Sequence, residues 1–370
     1  MPNVAVVGSG SWGTALAVVC ARKGAHVKLW TRTSNEAKKL SKARENETFL
    51  RGVHFPRRLA VTASMEETLE KADILVVAVP SQSMRHNVQQ IKEYLDRSTV
   101  VVSATKGLEL QTGKRMSQVV KEELDGALGS GLAVLSGPNI AMEAAQGLHS
   151  VTVIASEDIT VAEKARRFLL AKSFCIHTTT DVVGVEIAGS LKNIVALGTG
   201  VADGLGYGDN AKAAFITRGL GEISALGIVM KADPQTFFGL AGMGDIIVTC
   251  SSPLSRNRYV GRELGRGRAL KDITASMPHT AEGITTSLAA LGLAEKYGVG
   301  MPVADLLSQM LYEGLSPKQA VAKLIKPPEE PAVVQVEKAS KAVVPVIEPQ
   351  KKWRNVPLGG FLPQPAAGGL

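Results

Sequence analysis

Three stretches of this 370-residue chain hold residues whose types and spacing could do chemistry. The first is Gly8-Ser9-Gly10-Ser11-Trp12-Gly13, a G-x-G-x-x-G turn between the β-branched run Val4-Ala5-Val6-Val7 and the apolar segment that starts Thr14-Ala15-Leu16. In such a turn Gly8 makes the tight bend from strand to helix. Gly10 lets the backbone approach a pyrophosphate, and Gly13 lets the helix pack closely on the strand. The free N–H groups and positive dipole end of the helix then hold phosphates. The second stretch is Lys192, with Asn193 beside it, inside the apolar segment 185–201. An ammonium there is costly unless it is paired or faces a cleft. Snorkelling to solvent is the bland reading, and a catalytic lysine the sharper one. The third is Ser255-Arg256-Asn257: a charged fork flanked by a hydroxyl and an amide, the donors a phosphate needs. Ahead of it, Gly239-Leu240-Ala241-Gly242-Met243-Gly244-Asp245 is a glycine-rich approach to a single carboxylate.

The elements that position these groups follow from hydrophobic pattern. Residues 26–30 read as the second strand, 59–62 as another, and 73–80 as an apolar run buried on both faces of a parallel sheet. The next strand, 99–104, delivers Thr105-Lys106-Gly107 to the carboxyl edge where ligands gather in such sheets. On position alone Lys106 fits a surface turn equally well. Residues 132–136 lead into Gly137-Pro138-Asn139-Ile140-Ala141, and 151–155 and 174–178 read as further strands. Strand–helix alternation to about residue 180 predicts a Rossmann-like doubly wound α/β sheet. Beyond it the strand signal fades, and 181–326 reads as helical. Small residues Ala188, Gly189, Ala196 and Gly198 predict close approach to another backbone or a ligand. Arg218 and Glu222, one turn apart, read as a surface ion pair. The arginines after Arg258 read as a solvated helix face. From residue 327 the composition turns to Pro, Val, Lys and Glu, and 327–370 is expected to be a disordered tail.

An apolar content of 45% and a charged content of 21% describe an ordinary globular protein. The helix behind the glycines stops at Arg22-Lys23, too short to span a membrane, and no leader-like stretch precedes the first strand. A cytoplasmic protein without stable membrane insertion is therefore expected. Cys20, Cys175 and Cys250 lie apart in apolar settings and read as buried structural thiols. The six histidines show no metal-ligand spacing, so no metal is expected. A net charge of +8 suits an anionic ligand, but 4% aromatics offer no stacking platforms for nucleic acid. A phosphorylated small molecule is the better expectation. Downstream of the second strand the chain offers Arg32 and no acid before Glu36. A guanidinium suits a ribose 2′-phosphate, which favours NADPH over NADH. The plain alternative is that Arg32 is a solvated loop residue.

Eight motifs in one order resemble those of the NAD(P)-dependent glycerol-3-phosphate dehydrogenases, especially the bacterial type. They begin at Gly8-Ser9-Gly10-Ser11-Trp12-Gly13 and continue through Ala78-Val79-Pro80-Ser81, Thr105-Lys106-Gly107-Leu108-Glu109 and Ser136-Gly137-Pro138. Leu191-Lys192-Asn193-Ile194, Gly242-Met243-Gly244-Asp245, Ser255-Arg256-Asn257 and Glu282-Gly283 complete the set, which spans residues 3–326. The resemblance implies a Rossmann-like dinucleotide domain, 1–180, and an all-helical domain, 181–326, with the active site between them. It implies interconversion of dihydroxyacetone phosphate and sn-glycerol 3-phosphate, with Lys192 as general acid/base. Asp245 would then contact the substrate and hold Lys192. Lys106 and Gly137 would position the substrate, and Ser255, Arg256 and Asn257 would grip its phosphate. Ser11, Trp12, Arg32, Lys106, Ala141, Arg256 and Glu282 would line the dinucleotide. Lys106 and Arg256 are the cations expected to lower the Lys192 pKa.

Two positions depart from the family pattern. Asn139 stands where Ser or Thr is usual and is kept as a substrate contact, and Ser190 stands where Ala is common. The oligomeric state is open, a homodimer included. Dehydrogenases of the 6-phosphogluconate and 3-hydroxyacyl-CoA type share the plan but not the Ser-Arg-Asn grip. A cofactor-sensing protein without catalysis would lack Lys192 or Asp245. Nucleic-acid binding through the arginines of 256–271 would show steep salt dependence.

Overall fold

In the computed structural model, which describes residues 1–277 and 281–325, β1 (Asn3–Val7) runs into the glycine turn and then into the helix Ser11–Lys23. Gly8 takes a φ of 116°, and a Cβ on it would lie 2.4 Å from the Ala78 carbonyl oxygen. Only glycine fits both conditions. A Cβ on Gly13 would meet the Gly8 carbonyl at 2.0 Å, so helix and turn touch backbone to backbone, as expected.

Eight strands form one sheet in the order β3-β2-β1-β4-β5-β6-β7-β8. They are β2 (His26–Trp30), β3 (Leu59–Thr62), β4 (Ile74–Val77), β5 (Val100–Ser103), β6 (Leu132–Ser136), β7 (Ser150–Ala155) and β8 (Phe174–Thr179), besides β1. The six from β3 to β6 are parallel; β7 runs antiparallel to β6, and β8 parallels β7. The strand order reverses between β1 and β4, so their carboxyl ends open the crevice where such sheets take ligands. The apolar β4 run is buried on both sides. Ile74 and Val76 pack with Leu16 and Ala165, and Leu75 and Val77 with Val88 and Val119. Burying a side chain of this size contributes about 2 kcal/mol.

After β8 the described chain is helical. The helix Val182–Gly204 is the core of this part, with nearly every residue buried. It is long and apolar enough to cross a membrane by composition, but it lies wrapped by other helices. Close backbone approach occurs on this helix, but at Gly200 and Gly204; Gly189 and Gly198 of the expected set meet side chains instead. Gly198 receives the Phe215 ring, and Gly200 and Gly204 touch the backbone of the helix Arg256–Gly265.

Two expectations are corrected. Cys20 and Cys250 are buried, but Cys175 is exposed. It sits on the edge strand β8, whose alternation turns Cys175 and His177 outward. Arg218 and Glu222 form no ion pair within 4 Å among the described residues. Instead Glu222 accepts from the Val303 N–H at 2.6 Å and the Ala304 N–H at 3.3 Å, and so caps the helix Pro302–Tyr312. Uncapped helix donors outcompeted a neighbouring guanidinium. Arg266 and Arg268, read as a solvated face, share the Glu263 carboxylate at 3.0 Å each. The expected tail, 327–370, and Lys326 lie outside the described residues.

Candidate active site

Lys192 lies near the middle of the buried helix Val182–Gly204 and is 5% exposed. Its ammonium donates to Asp245 Oδ1 at 2.6 Å and to the Thr249 hydroxyl at 2.6 Å. An ammonium has three donors, so one remains for a third acceptor. Burial pushes the Lys192 pKa down to about 8; the charge of Lys106 pushes the same way, and Asp245 opposes both. Arg256, the other cation expected to act on it, is not among the causes of this shift.

Asp245 opens the helix Asp245–Ser251 and is fully buried. A π-type turn, Leu240–Gly244, brings it in, a local widening of the helix common at functional sites. Glycine is needed within it: a Cβ on Gly242 would lie 2.2 Å from the Phe237 carbonyl oxygen. The second carboxylate oxygen of Asp245 accepts from Lys106 at 2.5 Å. Lys106 also donates to the Gly137 carbonyl at 3.1 Å. The loops after β5 and β6 thus bring Lys106 and Gly137 to Lys192 and Asp245, four of the residues expected at the substrate. Thr249 was not anticipated; its position one turn after Asp245 is the signal that could have found it.

Asn139 sits differently. Its amide nitrogen donates to the Pro138 and Val151 carbonyls at 3.0 and 3.2 Å, and its Oδ1 is buried without a hydrogen-bond partner. Only that oxygen, an acceptor, is left for a ligand. The hydroxyl of Ser190 is accommodated by hydrogen bonds to Gly107.

The Ser-Arg-Asn segment begins the helix Arg256–Gly265. Ser255 is its N-cap, accepting from the Arg258 N–H at 3.3 Å, which leaves the hydroxyl proton to give. Asn257 is engaged at both ends of its amide. It donates to Asn193 Oδ1 at 2.9 Å and accepts from the Gly283 N–H at 2.9 Å. It therefore ties three helices together, and its second Nδ2–H remains as the donor expected for a phosphate. Arg256 is exposed at the helix N-terminus, within electrostatic reach of Glu282. Glu282 accepts from the backbone N–H and the hydroxyl of Ser81, a contact made across the crevice. Burial pushes the Glu282 carboxyl up, against the pull of Ser81 and Arg256.

At the glycine turn, Gly10 is the extended N-cap of its helix and supplies no side-chain cap. Nothing lies within 4 Å of where its Cβ would be. The uncapped N–H groups of Ser11, Trp12 and Gly13 and this open space suit a pyrophosphate. Trp12 tilts against Phe174 at 6.2 Å, with its indole Nε1 buried and unpartnered. Ala141 starts the helix Ala141–Gln146 and packs on the same core as Trp12. Arg32 is exposed beyond β2. Glu36 accepts from the Ser9 hydroxyl at 2.6 Å, which puts a carboxylate on the glycine turn itself. Buried Asn46, also unanticipated, braces that turn through the Ser9 carbonyl at 2.8 Å and the Thr14 hydroxyl at 2.9 Å.

Residues 3–162 match the family model for the N-terminus of NAD-dependent glycerol-3-phosphate dehydrogenase, and residues 181–322 match the model for its C-terminus. A glycerol-3-phosphate dehydrogenase [NAD(P)+] of Dehalococcoides mccartyi is 50% identical over 326 residues, 88% of this chain and 91% of the relative. One from Chlorobium limicola is 47% identical over 323 residues, 87% and 97% of the two chains. Among solved structures, glycerol-3-phosphate dehydrogenase from Coxiella burnetii superposes with a TM-score of 0.84 at 35% identity, covering 88% of this chain and 99% of its own.

Proposed function

The chain belongs to the NAD-dependent glycerol-3-phosphate dehydrogenase family and is an NAD(P)-dependent oxidoreductase acting on a CH–OH group, and we propose that Lys192 is its general acid/base. The reaction is the reduction of dihydroxyacetone phosphate to sn-glycerol 3-phosphate. When bound, the reduced nicotinamide supplies the hydride that goes to the ketone carbon. Lys192 delivers the proton to the ketone oxygen through the N–H that Asp245 and Thr249 leave free. The observation that carries this reading is a buried lysine, pushed down to about 8, fixed at 2.6 Å on a fully buried carboxylate at the crevice. Its ammonium is acidic enough to give a proton near neutrality and is largely protonated there.

Asp245 orients Lys192 and, through its other oxygen, Lys106. Lys106 keeps one donor beyond Gly137 and Asp245, and that donor positions the substrate oxygens. Arg256, the Ser255 hydroxyl and the free N–H of Asn257 take the phosphate, and Asn257 also holds that helix start in place. The N–H groups behind Gly8 and Gly10 hold the pyrophosphate. Trp12, Ala141, Glu282 and Lys106 line the dinucleotide, and Arg32 favours NADPH by meeting a 2′-phosphate. On this reading 1–180 is the dinucleotide-binding domain and 181–326 the substrate domain, of a cytoplasmic enzyme that supplies glycerophospholipid synthesis.

The test is dihydroxyacetone-phosphate-dependent oxidation of NADPH and of NADH, followed at the nicotinamide absorbance. Turnover with NADPH well above NADH supports the activity and the role of Arg32. Turnover favouring NADH removes that role alone. A folded protein that turns over neither overturns the proposal.

A further inference from the structure

Ser190 is 2% exposed and lies two residues before Lys192 on the same helix. Its hydroxyl accepts from the Gly107 N–H at 2.9 Å and donates to the Gly107 carbonyl at 3.1 Å. One side chain thus satisfies both backbone groups of the residue that follows Lys106. On the other flank, the Thr105 hydroxyl donates to the Val79 carbonyl at 2.8 Å. The backbone is therefore held on both sides of Lys106, by the end of β4 and by the helix that carries Lys192.

Gly107 cannot slip easily from this grip. Its φ is 154°, and a Cβ on it would stand 2.5 Å from Ser81 Cβ, so the loop lies against the crevice wall. From there the Lys106 side chain passes beside Gly189, where a Cβ would be 3.8 Å from Lys106 Cδ, and ends on Asp245. The helix Val182–Gly204 thus supplies Lys192, the gap along which Lys106 runs, and the hydroxyl that anchors the Lys106 loop.

We propose that Ser190 is a positioning residue: its paired hydrogen bonds to Gly107 hold the Lys106 ammonium against Asp245 beside Lys192. The proposal rests on Lys192 being the proton donor. Without the hydroxyl, both polar groups of Gly107 lose their partner in a place shielded from water, and the loop must shift to find others. Lys106 then drifts from Asp245. Because the Lys106 charge is one cause of the lowered Lys192 pKa, that drift moves the Lys192 titration upward.

The experiment is a double-mutant cycle in the full-length protein with Ser190→Ala, Lys106→Met and the pair, read as kcat for dihydroxyacetone phosphate reduction across pH. Ser190→Ala is expected to lower kcat about tenfold, a typical coupling for groups in one network, and to move the alkaline limb up. In the Lys106→Met background it should cost little more. The Gly107 amide should also exchange hydrogen faster, measured by NMR without turnover. Equal losses in both backgrounds, or an unmoved alkaline limb, would overturn the proposal and reduce Ser190 to packing. Should Ser190→Ala not fold, Ser190→Cys keeps the shape with weaker hydrogen bonds and is scored by the same cycle. Full turnover by Lys192→Ala would instead remove the underlying mechanism, an outcome separate from additivity at 190 and 106.

Discussion

Lys192 and Asp245, 53 residues apart in the chain, meet at 2.6 Å where both are shielded from solvent. The same carboxylate holds Lys106 at 2.5 Å through its other oxygen, so one anion sits between two cations. Attraction fixes the geometry of all three groups. Burial and the second cation keep the Lys192 ammonium from being held too tightly, and its pKa falls to about 8. A proton donor must be both placed and willing to release its proton, and the proposed role of Lys192 draws on both properties of this cluster.

The first prediction concerns pH. On the proposed mechanism reduction needs the protonated Lys192, so its kcat should hold below about 8 and fall as pH rises through that value. Oxidation of sn-glycerol 3-phosphate needs the neutral amine, so its kcat should rise through the same value. Profiles of kcat in both directions test this. A reductive limb near the ordinary lysine value of 10.5 would show that the group in control is not this buried lysine.

Removing the proposed proton donor should separate chemistry from binding. Lys192→Met, close in volume, should lower turnover by about 10²- to 10⁴-fold, the usual contribution of a positioned acid. Its dinucleotide dissociation constant, followed by protein fluorescence, should stay near that of the parent. Matching losses in both would mark Lys192 as structural.

Arg32 stands exposed beyond β2, where a ribose 2′-substituent is met in this type of sheet. Arg32→Ala should raise the KM for NADPH roughly tenfold, as expected for losing one charge-assisted hydrogen bond, and leave the KM for NADH unchanged. An equal rise for both cofactors would show that the residue does not read the 2′-phosphate.

Glu222 titrates at about 7, because burial raises its carboxyl from 4.5 more strongly than the Val303 and Ala304 N–H groups and Arg218 lower it. A raised folded-state value means that the folded protein binds the proton more tightly than the unfolded chain. Its stabilising share is complete below pH 4.5 and is lost as pH rises to about 7. At about 1.4 kcal/mol per pH unit the loss is at most about 3.5 kcal/mol. Glu222→Gln, neutral throughout, should flatten the pH dependence of the urea midpoint over that window. A slope unchanged in the variant would assign the effect elsewhere.

The three thiols should separate under a thiol reagent in native buffer. Burial pushes Cys20 up to about 12 and Cys250 up to about 11, whereas Cys175 is exposed on the edge strand. One thiol per chain should react quickly, and Cys175→Ser should abolish that phase. Fast labelling of more than one thiol would contradict the burial of the other two.

The local signals in this sequence were strong wherever the chain's own neighbours decide the outcome. The glycine turn, the strand runs and the glycine approach to Asp245 were legible because φ, apolar period and turn chemistry are set within a few residues. Lys192 stood out because an ammonium in an apolar helix has few inexpensive environments. What packing decides was not legible. Thr249 became a partner of Lys192 because Asp245 starts a helix there, and Glu222 turned from Arg218 to another helix's N-terminus. Asn257, read as a phosphate donor, also joins helices through its oxygen and one of its two N–H groups. Cys175 faces outward because alternation along β8 puts it on the face opposite buried Phe174 and Ile176, and which face is left uncovered is decided by how the helices dock. Hydrogen bonds and burial between residues 50 to 200 positions apart depend on how the elements dock, and only the tertiary structure decides them.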